Sequence, residues 1–270
     1  MTAVAAERCL PLETVAADRW RDVVGVATDL DDTLTMHGEL TAEVLTALED
    51  VRALGLPCVI ATGRSLGWGA VLARVLPVRA VVTENGGAYV LREGSGARVA
   101  FLDPDDVRDE GMERVRTCVA AIVDRFAALR PVEDVAVRVT DLALDIGERT
   151  TVDPVVVREA LAMVRDAGLF STTSSIHLHV SYRPADKVGG LRAALEALGL
   201  DAAALDARWL YVGDSPNDAA AFGAMALSFG VAGVRRFAGR MSAWPAFVTT
   251  ADGPGGFAAV VAALRAGRSA

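Results

Sequence analysis

Three short apolar runs early in the chain, residues 23–28, 57–61 and 80–82, each break off abruptly into polar residues. The polar runs read Asp29-Leu30-Asp31-Asp32-Thr33, Thr62-Gly63-Arg64 and Thr83-Glu84-Asn85-Gly86-Gly87. Apolar runs of this length, bounded by turn formers, suit buried strands. Between the first two, Val44, Leu45, Leu48, Val51 and Leu54 recur at helical spacing, with Thr41 placed to cap the helix and Gly55 to end it. Residues 66–76 read as a second helix. Strands alternating with helices predict a parallel sheet with right-handed crossovers. Ligands of such sheets gather beyond the carboxyl ends of the strands, where all three polar runs fall.

The pattern changes at about residue 89. Residues 105–129 read as a long helix, 135–146 alternate like a strand, and 153–167 form a helix with Pro154 in its first turn. In 174–182 the alternation puts Ile176, Leu178 and Val180 on one face and His177 and His179 on the other. This predicts a separate α+β module set into the first. The opening pattern resumes with a helix from Lys187 to Leu198, ended by Gly199, and a strand at 209–212 that runs into Gly213-Asp214-Ser215-Pro216-Asn217-Asp218. Later strands at 224–231 and 247–249 and a closing helix at 257–265 complete it. Near the start, Leu12, Val15 and Trp20 can face one side of a short helix. The division expected is an N-terminal extension (1–22), a first core part (23–88), an inserted module (89–183) and a second core part (184–270).

The 270 residues are 52% hydrophobic, enough for a substantial core. A net charge of −8 argues against a nucleic-acid surface. No apolar run is long enough for a membrane helix, and no basic-then-apolar leader is evident, so a cytoplasmic protein without membrane partners is expected. Cys9, Cys58 and Cys118 fit reduced thiols better than a disulfide framework. Oligomeric state is not written in these features.

Asp29 and Asp31 at a strand end are costly unless a cation joins them, and oxygen ligands suit Mg²⁺. The polar groups divide the labour of phosphoryl chemistry. One Asp can attack phosphorus, and a second can protonate the leaving alcohol and then activate water. Thr62, with Gly63, and Lys187 can hold phosphate oxygens, and Asp214 can complete a metal site.

In this order the motifs resemble those of the haloacid dehalogenase superfamily. The resemblance implies a Rossmann-like α/β parallel-sheet core in which Asp29 is the nucleophile and Asp31 the acid/base. It also implies that the Asp29 carboxylate, the Asp31 backbone carbonyl and Asp214 bind Mg²⁺, supported by Asn217 and Asp218. Asp32 stands where glycine is common in sugar-phosphatase relatives.

The interval between Thr62 and Lys187, about 125 residues, is where the family carries its C2-type α+β cap. Together with the Glu84-to-Gly87 run it resembles subfamily IIB. A phosphorylated sugar or similar small metabolite is then the expected partner. Arg64, Asn85, His177 and His179 are candidates to touch it, and Trp68 is expected to pack in the core by default, with packing under the cap or stacking on a sugar as the alternatives. The competing readings are a phosphosugar mutase, which would isomerise its substrate without releasing phosphate, and a catalytically silent phosphosugar-binding protein.

Overall fold

The computed structural model describes residues 9–184 and 186–269. Among them the main sheet has nine strands, in the order Leu10–Pro11, Phe247–Val248, Leu227–Gly230, Trp209–Gly213, Gly25–Thr28, Cys58–Ala61, Ala80–Thr83, Ala88–Glu93 and Gly96–Phe101. The first seven run parallel, Ala88–Glu93 runs against them, and Gly96–Phe101 turns back along their direction, so the last two pairings are antiparallel. The central strands are buried throughout, as their unbroken apolar runs require.

Successive residues on these strands feed opposite faces. Val26, Ile60, Leu210 and Phe229 pack beneath the helices Ala42–Ala53 and Gly253–Ser269, while Ala27, Val59 and Tyr211 face Leu191 and Leu195 of the helix Lys187–Ala197. Thr41 caps its helix by accepting from the Val44 N–H at 3.4 Å. Asp153 caps the helix Pro154–Asp166 by accepting from the Val155 N–H at 2.7 Å.

A second sheet of four strands, in the order Phe170–Thr173, His177–Ser181, Asp141–Asp145 and Arg130–Pro131, lies against the helices Asp105–Arg125 and Pro154–Asp166. Leu142, Leu144, Leu178 and Val180 bury one of its faces against Val115 and Ile122. This is the inserted cap. Its expected first boundary at 89 falls inside the main sheet, because residues 88–101 form a hairpin paired along Ala80–Thr83. The change of pattern at 89 marks a switch from parallel to antiparallel pairing, and the separate unit begins after Phe101.

The expected N-terminal extension also joins the core where it is described. Residues 1–8 lie outside the described residues. Leu10–Pro11 is an edge strand, and Leu12, Val15 and Trp20 are buried, spread over a short 3-10 turn and the helix Ala17–Arg21. Trp20 stacks on Phe229, with centroids 5.6 Å apart.

Candidate active site

Four adjacent parallel strands end side by side. In sheet order their ends present Asp214 and Ser215, then Asp29 and Asp31, then Thr62 to Arg64, then Glu84 and Asn85. Lys187 enters from the first turn of its helix. The helix can approach because Gly86 has a φ of +108° and no side chain: a Cβ there would strike the Asp186 carbonyl, and a Cβ on Gly190 would lie 2.8 Å from Gly86 Cα.

Lys187 Nζ donates to Asp29 Oδ1 and to Asp218 Oδ1, each at 2.7 Å and fully buried. Tyr211 OH donates to the same Asp218 oxygen at 2.6 Å, and Asp218 Oδ2 accepts from the N–H groups of Asp214 and Ser215 at 2.9 and 3.1 Å. Both Asp218 oxygens are therefore committed to holding the loop and the lysine. Asp29 keeps one oxygen without a partner among the described residues.

Asp214 is fully buried and neither of its carboxylate oxygens has a hydrogen bond among the described residues. Burial, with Asp218 and Asp29 nearby, pushes its carboxyl well above the usual range. Burial also pushes Asp29 up to about 8, against the pull of Lys187. For Lys187 burial works the other way, but Asp218 and Asp29 outweigh it and hold the ammonium above its ordinary value. One oxygen from each of Asp29, Asp214 and Asp218 falls within 4.8 Å of the others. Orphaned buried carboxylate oxygens and an all-oxygen donor set fit a hard divalent cation such as Mg²⁺.

Asp31 turns away from this cluster. Its carboxylate is gripped by Arg64, with Nε at 3.0 Å from Oδ2 and Nη2 at 2.8 Å from Oδ1. Arg64 Nη2 also reaches Glu148 Oε1 of the cap at 2.8 Å, and Glu148 Oε2 meets His177 Nε2 at 2.8 Å. The guanidinium lies 5.2 Å from the Trp68 ring centroid. Trp68 is 42% exposed, so the core packing expected of it is corrected. It lines a cleft with Val132, Glu133 and Arg149 of the cap and serves as a platform for Arg64.

His177 and His179 are both buried, and their shared face looks onto the core rather than into solvent. His179 Nδ1 pairs with Asp141 Oδ2 at 2.8 Å, and Asp141 Oδ1 with Arg138 Nη1 at 2.7 Å. Arg138 Nη1 also donates to the Gly63 carbonyl at 3.1 Å. Asn217 hydrogen-bonds Asn85 and Ser215. Its support of the site runs through those two neighbours, not through Lys187. Thr62 Oγ1 accepts from the Arg64 N–H at 3.0 Å, fixing the loop that carries Gly63. Asp32 has a φ of +57°, a left-handed conformation that glycine adopts most readily.

Residues 26–109 match the family of haloacid dehalogenase-like hydrolases. A phosphoglycolate phosphatase of Pyrobaculum neutrophilum is 32% identical over 211 residues, covering 77% of this chain and 81% of the relative. The chain belongs to the haloacid dehalogenase-like hydrolases. It is a phosphatase of that family. Solved structures share the hydrolase fold. A Thermoplasma acidophilum protein superposes with a TM-score of 0.69 at 17% identity, covering 90% of this chain and 98% of the other. The sucrose-phosphatase of Synechocystis, solved with sucrose and phosphate, gives 0.62 at 19%, covering 91% and 98%. A subclass IIB sugar phosphatase gives 0.57 at 16%, covering 84% and 93%.

In this hydrolase a cleft of about 460 Å³ opens between core and cap beside Asp31 and Arg64. Glu148 and Ile176 line it from the cap, and Arg236 and Phe237 from the core. Glu148, Asp141, Arg138, Arg236 and Phe237 also belong to the site, although no motif in the sequence marks them. A signal existed for Asp141: in Asp141-Leu142-Ala143-Leu144-Asp145 the leucines alternate with residues facing the same way as the histidines. Glu148 lies in a loop and Arg236 in the short 3-10 helix Ala232–Phe237, and neither segment has a period to mark it.

Proposed function

We propose that this hydrolase is a Mg²⁺-dependent phosphomonoesterase that acts on a phosphorylated sugar or sugar-like metabolite through an aspartyl-phosphate. The observation that carries the reading is the fully buried Asp214, whose carboxylate oxygens lack partners beside a Lys187-bound Asp29. Asp29, Asp214 and the Asp31 carbonyl would hold the ion, with Asp218 and Asn217 behind them. Bound there, Mg²⁺ would neutralise charge on the transferring phosphoryl group.

Asp29 uses its unpartnered oxygen as the nucleophile. Lys187 fixes the other oxygen, so the attacking one points in a single direction, and Lys187 with the Thr62–Gly63 loop holds phosphate oxygens. Attack by Asp29 forms the Asp29–phosphorus bond and breaks the bond to the leaving oxygen, which takes a proton from Asp31 after substrate binding has drawn the Asp31 carboxyl out of the Arg64 ion pair and it has taken up a proton from solvent. Asp31 then removes a proton from water as water attacks phosphorus, freeing Asp29 and inorganic phosphate. The closed cap keeps bulk water from the phosphoenzyme.

The cleft volume supports a sugar-sized leaving group, and the likeness to sugar phosphatases agrees with it. The phosphoglycolate phosphatase relative supports the same chemistry on a smaller acid. A panel of sugar phosphates and phosphoglycolate, assayed for phosphate release with and without Mg²⁺, tests the proposal. Release that needs Mg²⁺ and vanishes in Asp29→Asn is expected. Undiminished release by that variant would overturn the nucleophile, and isomerised sugar phosphate without release would favour a mutase.

A further inference from the structure

Two buried polar atoms beside the Thr62–Gly63 loop have no partner among the described residues, and their chemistry is complementary. His179 Nδ1 lies 2.8 Å from Asp141 Oδ2. The Asp141 carboxyl stays below its usual range because Arg138 and the His179 hydrogen bond outweigh burial, so it is an ionised acceptor. The proton between the two therefore sits on Nδ1, which leaves Nε2 a bare acceptor. That Nε2 is buried with no hydrogen bond.

On the core side, Ser215 Oγ donates to Asn217 Oδ1 at 2.7 Å, which turns Asn217 Nδ2 to Asn85 Oδ1 at 3.1 Å. This orientation fixes Asn85 Nδ2 as a donor facing the other way, also buried and without a partner. Asn85 is held in place by a left-handed backbone, φ +53°. Both atoms lie close above Gly63, 2.9 Å (His179 Nε2) and 3.2 Å (Asn85 Nδ2) from the point where a Cβ would stand, and the two residues line a void of about 10 Å³, room for one hydroxyl-sized group.

We infer that His179 and Asn85 form a hydroxyl-reading pair, in which one hydroxyl of the leaving group donates to His179 Nε2 and accepts from Asn85 Nδ2. The inference rests on the phosphatase reading above and narrows its substrate to esters with a hydroxyl near the phosphorylated carbon. A hydroxyl satisfies both atoms at once. A carboxylate has no proton for Nε2, an ammonium has no lone pair for Nδ2, and a methylene strands both. One half comes from the cap and the other from the core, so the reader is assembled only when the cap is closed.

Two small esters of equal carbon number test this, glycerol 1-phosphate and n-propyl phosphate, assayed with Mg²⁺. The wild-type protein should prefer glycerol 1-phosphate in kcat/KM by about tenfold or more. His179→Asn keeps a donor toward Asp141 but removes the acceptor, and should bring the preference close to one. Asn85→Asp turns the donor into an acceptor and should do the same. A wild-type preference near one, or a preference that survives both substitutions, would overturn the pair. Phosphate release from neither ester counts against the phosphatase reading instead. The pair is then decided by the His179 Nε2 resonance in ¹⁵N-histidine-labelled protein. It should move on adding glycerol 1-phosphate and stay with n-propyl phosphate; movement with both, or with neither, overturns it.

Discussion

Lys187 is the only lysine in the chain, whose other 26 basic residues are arginines. An arginine fork does not fit a fully buried point between two carboxylates at 2.7 Å, whereas an ammonium does. Lys187→Met would leave Asp29 and Asp218 facing each other without a counter-charge. It should lower the unfolding free energy by about 3–5 kcal/mol in urea titrations and stop phosphate release. A loss below about 1 kcal/mol would show that the lysine does not hold the cluster. The orphaned oxygens of Asp214 make a second residue-scale prediction. Mg²⁺ should raise the unfolding midpoint of the wild-type protein, because the ion binds the folded state, and Asp214→Asn should remove most of that rise.

His179 gives the pH dependence. Burial holds its imidazole down to about 4, although Asp141 pulls the other way. The unfolded chain takes up that proton near pH ~6.5, so between the two values protons favour the unfolded state. Stability should fall as pH drops through that window, by about 3 kcal/mol from this group. His179→Asn should flatten that part of the curve, measured as urea midpoints between pH 7 and 4.5. An unchanged curve would mean that the imidazole is already charged when folded.

At the scale of elements, strands and helices were legible because apolar period decides them. The runs at 23–28, 57–61 and 80–82 become central strands, and the polar runs after them meet at one edge. The place of the hairpin of residues 88–101 in the core is not legible, since strand alternation carries no information about which sheet a strand joins. The partners of Arg64 were hidden for a similar reason: Glu148 sits in a loop, and its approach depends on how two folded units dock. That docking contact links the cap to Asp31 through one guanidinium. Glu148→Gln keeps the shape but removes the charge, and should lower kcat/KM by about tenfold. It should also speed amide exchange in the loop around residue 148. Unchanged kinetics and exchange would show that cap closure does not depend on this bridge.

Over the whole molecule, the segment around Trp20 and the last helix close one core together. Trp20 stacks on Phe229 and packs against Gly267 of the last helix, and Arg268 donates to the Val23 carbonyl at 2.7 Å. Trp20→Ala should cost about 3–5 kcal/mol in urea titrations, while leaving the substrate preference of the folded protein intact. A shifted preference would mean that this remote packing reaches the cleft. The cap has its own apolar core and touches the main domain through polar bridges, so stability resides in the two cores and selection in the seam. The central claim is that Asp29 carries the phosphoryl group between the two halves of the reaction. Peptide mass spectrometry after rapid acid quench of a turning-over reaction tests it most directly. A phosphoryl adduct on Asp29 that is absent without substrate is the result expected; steady phosphate release with no adduct at Asp29 would contradict the account.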